Sequence, residues 1–512
     1  MTNLITKIID NSIEVVAPGL ALRRSEARAK LKLSNAMYRG SENSRLMADW
    51  ILGKSNTTPD QWELSTLRER SRDINRNDPV GSGATETMAV NIVGHGLSPQ
   101  SKIRAEAIGV SPERAEELQR QAETIWETWG PLAGADDRLS FDEIQFLAIR
   151  KIIEDGEVFA IPTWANDPWR TLGRVIELAE SDRCISENQG FEQGIKLGDR
   201  GQPIAYSFSK PNLKETLKVE YKEIPARDKN GRPQVLHVFP PKRVGQLRGV
   251  PFFAPAMSFF KHLADYLEAE VVAARVAACL AIFITNADPL GMAASQAGST
   301  RAADGSRVQG IEPGLVHYLN VGESINVVDP KRPGDAFAPF VEGVLRLIGV
   351  SLGMPYELLL KDFSKTNYSS ARAALLEGRR HFMNWRTWFS KKFCQPIWEL
   401  VLEEAYLRGH FDAPDFYKFR QELCRCSWIG GGWGWVDPVK EVEASKLAMD
   451  YGLSTLAEEA AGQGRDWEEV LEQKAREDRK AKELGLDLSA QPKAKTPPPD
   501  EPEEGDKQNA KD

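Results

Sequence analysis

The 512-residue chain is poor in the residues that usually announce chemistry. It has five cysteines, Cys184, Cys279, Cys394, Cys424 and Cys426. An odd number at scattered spacing fits a reducing compartment and argues against a disulfide framework. Cys424 and Cys426 form a CxC with no second pair at zinc spacing, so they read as neither a metal clip nor a redox motif. No GxxxxGK[ST] segment is present, and "GSGATE" at 81–86 lacks the lysine, so the chain should not hydrolyse ATP itself. HExxH and GxSxG are also missing. The six histidines, His95, His237, His262, His317, His381 and His410, lie too far apart for a local metal or triad motif. The longest apolar run, "VVAARVAACLAIFI" at 271–284, is broken by Arg275 and falls short of the ~20 residues of a membrane helix. The N-terminus lacks the basic head, apolar core and small-residue cleavage site of a signal peptide. The expectation is a soluble protein, intracellular at synthesis, with no membrane partner and no cofactor. A net charge of −8 argues against a general nucleic-acid coat, while leaving room for local basic patches.

What the chain does have is size and pattern. Its length allows roughly three domains of ~150 residues, and 41% hydrophobic residues are enough for real cores. Residues 20–46 are basic and helix-prone. The stretch 59–93 reads as two helices interrupted at Pro79, with Thr58 or Asp60 placed to cap the first. "PERAEELQRQAETIWETW" at 112–129 is a third helix, with proline at its start. Between 156 and 245 the pattern turns to short strands: "GEVFAIPTW", "GRVIELAE", "PIAYSFSK", "LKVEYKEI" and "QVLHVF". "IKLGDRGQPIAYSF" reads as a hairpin with "GDRGQP" at its tip. A long helix is expected from Ala254 to Ile284, alanine-rich in its second half. Small side chains there allow close helix packing. A loop and two short strands follow, then a helix over 335–352. Another runs from Ser370 to about Ala405, with a kink expected near 392–396 because of Pro396. Short helices occupy 428–483, and the proline-rich, charged end has nothing to bury.

Carboxylates cluster at Asp136, Asp137, Asp142 and Glu143, and at Glu154, Asp155 and Glu157. Two-metal nucleases use such groups. Helix capping and a solvated face are the favoured explanation, because these acids have no accompanying lysine in a recognisable nuclease arrangement. A metal-dependent nuclease acting on DNA is therefore the enzymatic alternative, and a dedicated DNA-binding protein a third reading that the net charge opposes.

Several stretches, in order, resemble the lambda-type bacteriophage portal family. They are "LRERSRDINRNDP" and "NIVGHGLSP" at 67–99, "DGEVF" at 155–159, "GQLRGVPFFAPAM", "LEAEVVAARVAACLAIFI", "GIEPGLVHYLNVGE", "SLGMPYELLLKDFSKTNYSSARAALLEGRR", "GWGWVDPVKEVEA" and "GRDWEEVLEQKARE". The 285–310 loop departs mildly, and the two ends carry no signature. The resemblance implies an α+β portal fold that assembles as a cyclic ring. Its parts would be an N-terminal basic arm (1–50), an α/β wing (51–253), a first stem helix (254–284), a clip (285–334) and a second stem helix (335–356). A channel loop (357–370), a long kinked wing helix and following segment (371–427), a helical crown (428–486) and a disordered tail (487–512) complete it. It implies a non-enzymatic conduit at one capsid vertex, present in the host cytoplasm during assembly. Double-stranded DNA would be packaged and later ejected through it. The implied partners are about a dozen copies of the chain, the large terminase subunit that burns the ATP, the major capsid protein and scaffold, and head–tail connector proteins.

The resemblance also places residues 361–367, Lys361, Asp362, Phe363, Ser364, Lys365, Thr366 and Asn367, as the loop that meets DNA. Ser369 or Ser370 is expected to cap the helix behind it. Each stem helix sums to one net negative charge: Lys261 and Arg275 against Asp265, Glu268 and Glu270, and Arg346 against Asp335 and Glu342. A weakly acidic wall would let a polyanion slide. Ala274 and Ala278 are the expected close-packing positions within a ring.

Overall fold

The computed structural model describes residues 61–486, apart from 187–188, 210–220, 279–281, 287–299, 302–306, 309–322, 328–336 and 435–436. The chain divides into two units, Met1–Thr57 and Thr58–Asp512. The first unit, the terminal tail and most of the 285–334 insert lie outside the described residues, and with them the expected arm and the Thr58 or Asp60 cap.

Helix α1 spans Gln61–Asn77 and α2 spans Pro79–Ile92. The break between them is built by "NDP". The Asp78 side chain accepts hydrogen bonds from the amides of Val80 and Gly81, and Pro79 sits in the first turn, where its missing N–H costs nothing. Strand β1 (Ser98–Ser101) and the short α3 (Ala105–Ile108) lead to α4, Pro112–Trp129, as expected. Helix α5, Phe141–Asp155, opens with a capping box in which Ser140 and Glu143 satisfy each other's backbone amides. That assigns Glu143 to a helix start.

Two three-stranded antiparallel sheets follow. In one, β2 (Val158–Trp164) lies between β3 (Arg174–Ala179) and β7 (Leu236–Val238). In the other, β5 (Pro203–Ser209) lies between β4 (Ile195–Leu197) and β6 (Tyr221–Pro225), which makes the expected hairpin. Helix α6 runs Met257–Ala278 after a 3-10 turn. It therefore ends before the predicted Ile284. Residues Ile282–Asn286 are strand β8, paired antiparallel with β11 (Glu323–Val327), Ile282 opposite Val327. A short apolar run with Ile282, Ile284 and Thr285 fits either periodicity, and β-branched side chains favour the strand. The two-residue strands β9 (Thr300–Arg301) and β10 (Arg307–Val308) pair with each other.

Helix α7 (Phe337–Ser351), α8 (Tyr356–Leu360) and α9 (Tyr368–Phe389) come next. The expected kink takes the form of a five-residue π-helical segment, Ser390–Cys394, which leaves Pro396 in the first turn of α10, Gln395–Leu407. Helix α11 (Phe416–Leu423) precedes β12 (Cys426–Ile429), which pairs with β1 and ties the two ends of the body together. Helices α12 (Pro438–Asp450), α13 (Leu456–Gly462) and α14 (Trp467–Glu483) close the described chain. Among the described residues no helix is long and apolar enough to cross a membrane.

The core centres on Trp126, whose ring lies 4.8 Å from Trp129 and Phe141, 5.4 Å from Trp398 and 5.6 Å from Trp428. Helices α4, α5 and α10 and strand β12 thus meet on one indole. Edge-on aromatic pairs of this kind add to the burial energy.

One polar node is buried beside this core. Glu157, fully inaccessible to solvent, accepts hydrogen bonds from Arg68 (2.7 Å), Arg248 Nε (2.8 Å), the Gly249 amide (2.6 Å) and His237 Nε2 (2.9 Å). Neighbouring Asp155 holds Arg72 through both oxygens at 2.8 Å. The second carboxylate cluster is therefore spent on joining α1, β2 and the segment that enters α6. Gly156 (φ 89°) and Gly249 permit the join, because a Cβ on Gly156 would overlap the Val250 backbone and one on Gly249 the Gly156 carbonyl. Burial alone would raise the Glu157 pKa. Arg248, the His237 hydrogen bond and Arg68 outweigh it and hold the carboxyl well below the usual range. Burial lowers the pKa of His237, and Arg248 and Arg68 act the same way, by more than Glu157 raises it. His237 is thus a neutral donor.

Replacing Glu157 with Gln should cost about 3–5 kcal/mol, since two guanidinium groups stay buried without their counter-charge; denaturant unfolding measures it, and a loss below about 1 kcal/mol would contradict the account. The pH dependence should divide by sign. The Glu157 contribution is present at neutral pH and persists through mild acid. The His237 contribution is full above the ordinary histidine value of about 6.5 and falls as pH drops below it, because the unfolded state takes the proton first. His237→Gln should therefore flatten the stability curve just below that pH.

Candidate functional site

The 361–367 loop sits between two fixed ends. Helix α7 closes at Gly353, whose φ of 64° and lack of a Cβ let His381 of α9 approach. The Met354 amide donates to the Gly349 carbonyl at 2.9 Å, and Pro355 starts α8. Lys361 ends α8 in the left-handed region, φ 56°. The loop then makes two local turns. The Ser364 amide donates to Asp362 Oδ1 (2.9 Å), and the Thr366 hydroxyl donates to the Phe363 carbonyl (2.9 Å). Side chains that satisfy their own backbone build a defined turn without glycine.

The cap of α9 is Asn367, whose Oδ1 accepts from the Ser370 amide at 2.8 Å. Ser369 and Ser370, the expected caps, lie inside the first helical turn. Asn367 takes the role because its backbone is extended (φ −81°, ψ 166°) and Tyr368 is already helical.

The two lysines differ. Lys365 Nζ lies 3.2 Å from Glu342 on α7, and the same carboxylate accepts from Arg346 at 2.7 Å. The Arg346 guanidinium stands 5.3 Å above the Tyr356 ring of α8. Lys361 is exposed and has no ion pair among the described residues. Phe363, 38% exposed, lies between them in sequence. The Glu342–Arg346 spacing of four was visible in sequence. The Lys365 contact spans 23 residues and was not.

The stem residues sort unevenly. Lys261 pairs with Asp265 one turn on, Glu268 is exposed, and Glu270 is buried within the single chain. Asp335 and the side chain of Ala278 lie outside the described residues, while Ala274 is exposed. Helices α6 and α7 meet through Tyr266, stacked on Phe337 (5.7 Å) and edge-on to Phe340 (4.9 Å). Leu267, Val271 and Val272 on α6, and Phe340, Leu347 and Val350 on α7, stay exposed.

No chemistry gathers at the remaining carboxylates. Asp137 pairs with Arg170, and among the described residues no group of three or more His, Cys, Asp or Glu could hold a metal ion. A groove of about 1200 Å³ beside the start of α14 is lined by Glu123, Glu127, Asp466 and Glu469 together with His95, Ser98 and Arg465, and burial pushes the Glu123 carboxyl up to about 7.

The model of the lambda family of phage portal proteins matches residues 43–386, a range that holds both long helices, the insert and the loop. The chain belongs to the lambda family of phage portal proteins. It is 26% identical over 463 residues to the portal protein of Escherichia phage N15, covering 82% of this chain and 85% of that one. It is 25% identical over 454 residues to portal protein B of Escherichia phage lambda, covering 81% and 84%. Among solved structures, the neck of an empty GTA particle computed with C6 symmetry covers 81% of this chain and 94% of its own. It does so at 14% identity and a TM-score of 0.40. As a portal protein the chain has its loop and helix pair inside the matched range, while α12–α14 lie beyond it.

Within this portal chain Asn367→Ala should lower stability by about 1 kcal/mol through the lost cap, and Gly353→Ala by more, from left-handed strain and contact with His381. Thermal unfolding of both variants checks this; an unchanged Gly353→Ala would show that the loop base tolerates a side chain.

Proposed function

We propose that copies of this chain close into a ring whose channel passes double-stranded DNA, with α6 and α7 as the stem and 361–367 as the channel loop. The observation that carries the reading is a well-packed body from which apolar helix faces stand out uncovered. On α6 and α7 these are Leu267, Val271, Val272, Leu347 and Val350. Helices α12 and α13 have no buried residue at all, yet present Val439, Val442, Leu447 and Leu456. Helices of this length draw their stability from packing, and a second copy supplies it. A ring multiplies each contact and each charge by the number of subunits.

The stem suits a conduit. Lys261 and Arg346 are paired on their own helices, which leaves Arg275 as its other exposed cation among the described residues and offers a polyanion few places to bind. The loop adds an exposed cation of its own, Lys361. The chain would sit at a capsid vertex in the virion, and in the host cytoplasm before that. It would act beside the terminase motor, the major capsid protein and scaffold, and head–tail connectors, and would be no enzyme. Nothing favours the nuclease reading: the carboxylates that suggested it serve a helix start, a local turn and ion pairs.

Two variants test the proposal. Ala274→Leu should fold normally, because Ala274 is exposed in the single chain. It should lower assembled yield, since overpacking costs about 1–3 kcal/mol at each contact; normal assemblies would remove α6 from the interface. Lys361→Glu should leave assembly intact and reduce packaged DNA in a complementation assay, by like-charge repulsion at every subunit. Normal packaging would sink the claim that the loop meets DNA.

A further inference from the structure

We infer that Glu342 is a positioning residue: it parks Lys365 on α7, leaving Lys361 as the loop's forward cation, and yields Lys365 when a DNA phosphate arrives. The inference rests on the reading that 361–367 faces DNA and goes beyond it, because it assigns the two lysines different parts and names the residue that separates them.

The geometry has three elements. The acceptor is fixed: Glu342 has a side chain only 17% exposed, held at 2.7 Å by Arg346, and Arg346 is seated on Tyr356. The donor is free to leave, since the Lys365 side chain is 66% exposed and its 3.2 Å contact is monodentate. The carrier is tied to itself: Asp362 and Thr366 close local turns at each side of the loop centre. Its pivots are Lys361 in the left-handed region, a conformation non-glycine residues hold at a cost, and the Asn367 cap.

The magnitudes suit an exchange. An exposed ion pair contributes little and is screened by salt. A phosphate offers Lys365 an interaction of the same kind and strength. Neither partner wins by a large margin, so the lysine can transfer to DNA and return to Glu342. The charged groups facing Lys365 are Glu342 and Asp362, and those facing Glu342 are Arg346 and Lys365.

The test uses the full-length protein and two readouts. The first is hydrogen exchange of the 361–367 amides without DNA, for Glu342→Gln, Lys365→Gln, their double variant and the charge swap Glu342→Lys with Lys365→Glu. Each single variant should exchange about threefold faster, the double no faster than either single, and the difference should shrink in high salt. The swap should return exchange toward wild type. Unchanged exchange in both single variants, or additive effects in the double, would overturn the parking contact whatever the loop does with DNA. The second readout is packaged DNA. The swap should package poorly, because its loop is parked again but carries an acid. Normal packaging by the swap, together with the expected exchange pattern, would leave the contact standing and overturn the hand-over to phosphate. It would count against Lys365 meeting DNA, while Lys361→Glu still tests the loop as a whole.

Discussion

A single buried carboxylate sets the frame. Glu157 draws Arg68 from α1, His237 from β7, and Arg248 with Gly249 from the strand-free approach to α6 onto one point. Such a node stabilises only when every partner is present, because each missing one leaves a charge in a poor solvent. It therefore acts as a registration device. The chain leaves the node at Gly249 and, a few residues later, is in α6. The direction of that helix, and through Tyr266 the placement of α7 against it, follows from a junction more than eighty residues away in sequence from its first arginine.

From that frame the rest is a division of labour. The body is closed by aromatic packing around Trp126 and by the β1–β12 pair. The long helices, the loop and α12–α13 are left with apolar or cationic faces that the single chain does not cover. Spending burial on the body and withholding it from the projecting helices is what a subunit does when its remaining contacts come from copies of itself.

Much of this was readable in advance. Helix α4 was bounded by its proline and its tryptophan, the 195–209 hairpin by its glycines, and "NDP" marked the α1–α2 break. Local signals of that sort survive folding because they act within one turn of backbone. The misses have physical reasons as specific. Ile282–Asn286 fits helix and strand alike until a partner strand decides. Asn367 and Ser369 are both good caps, and only the backbone angle at Asn367 separates them. Glu270 looks like a surface acid until tertiary packing buries it. The family was legible from ordered stretches of sequence. The loop's inner geometry was not, since Glu342 and Lys365 meet only after α7, α8 and the loop have folded back on one another.

The central claim is that uncovered helix faces are closed by copies of the same chain around a channel. Electron microscopy of the purified full-length protein tests it most directly. The account predicts closed rings with a central hole, in which α6 and α7 of each subunit pack on a neighbour. A protein that stays monomeric across concentration and salt, with those faces still in solvent, would contradict it.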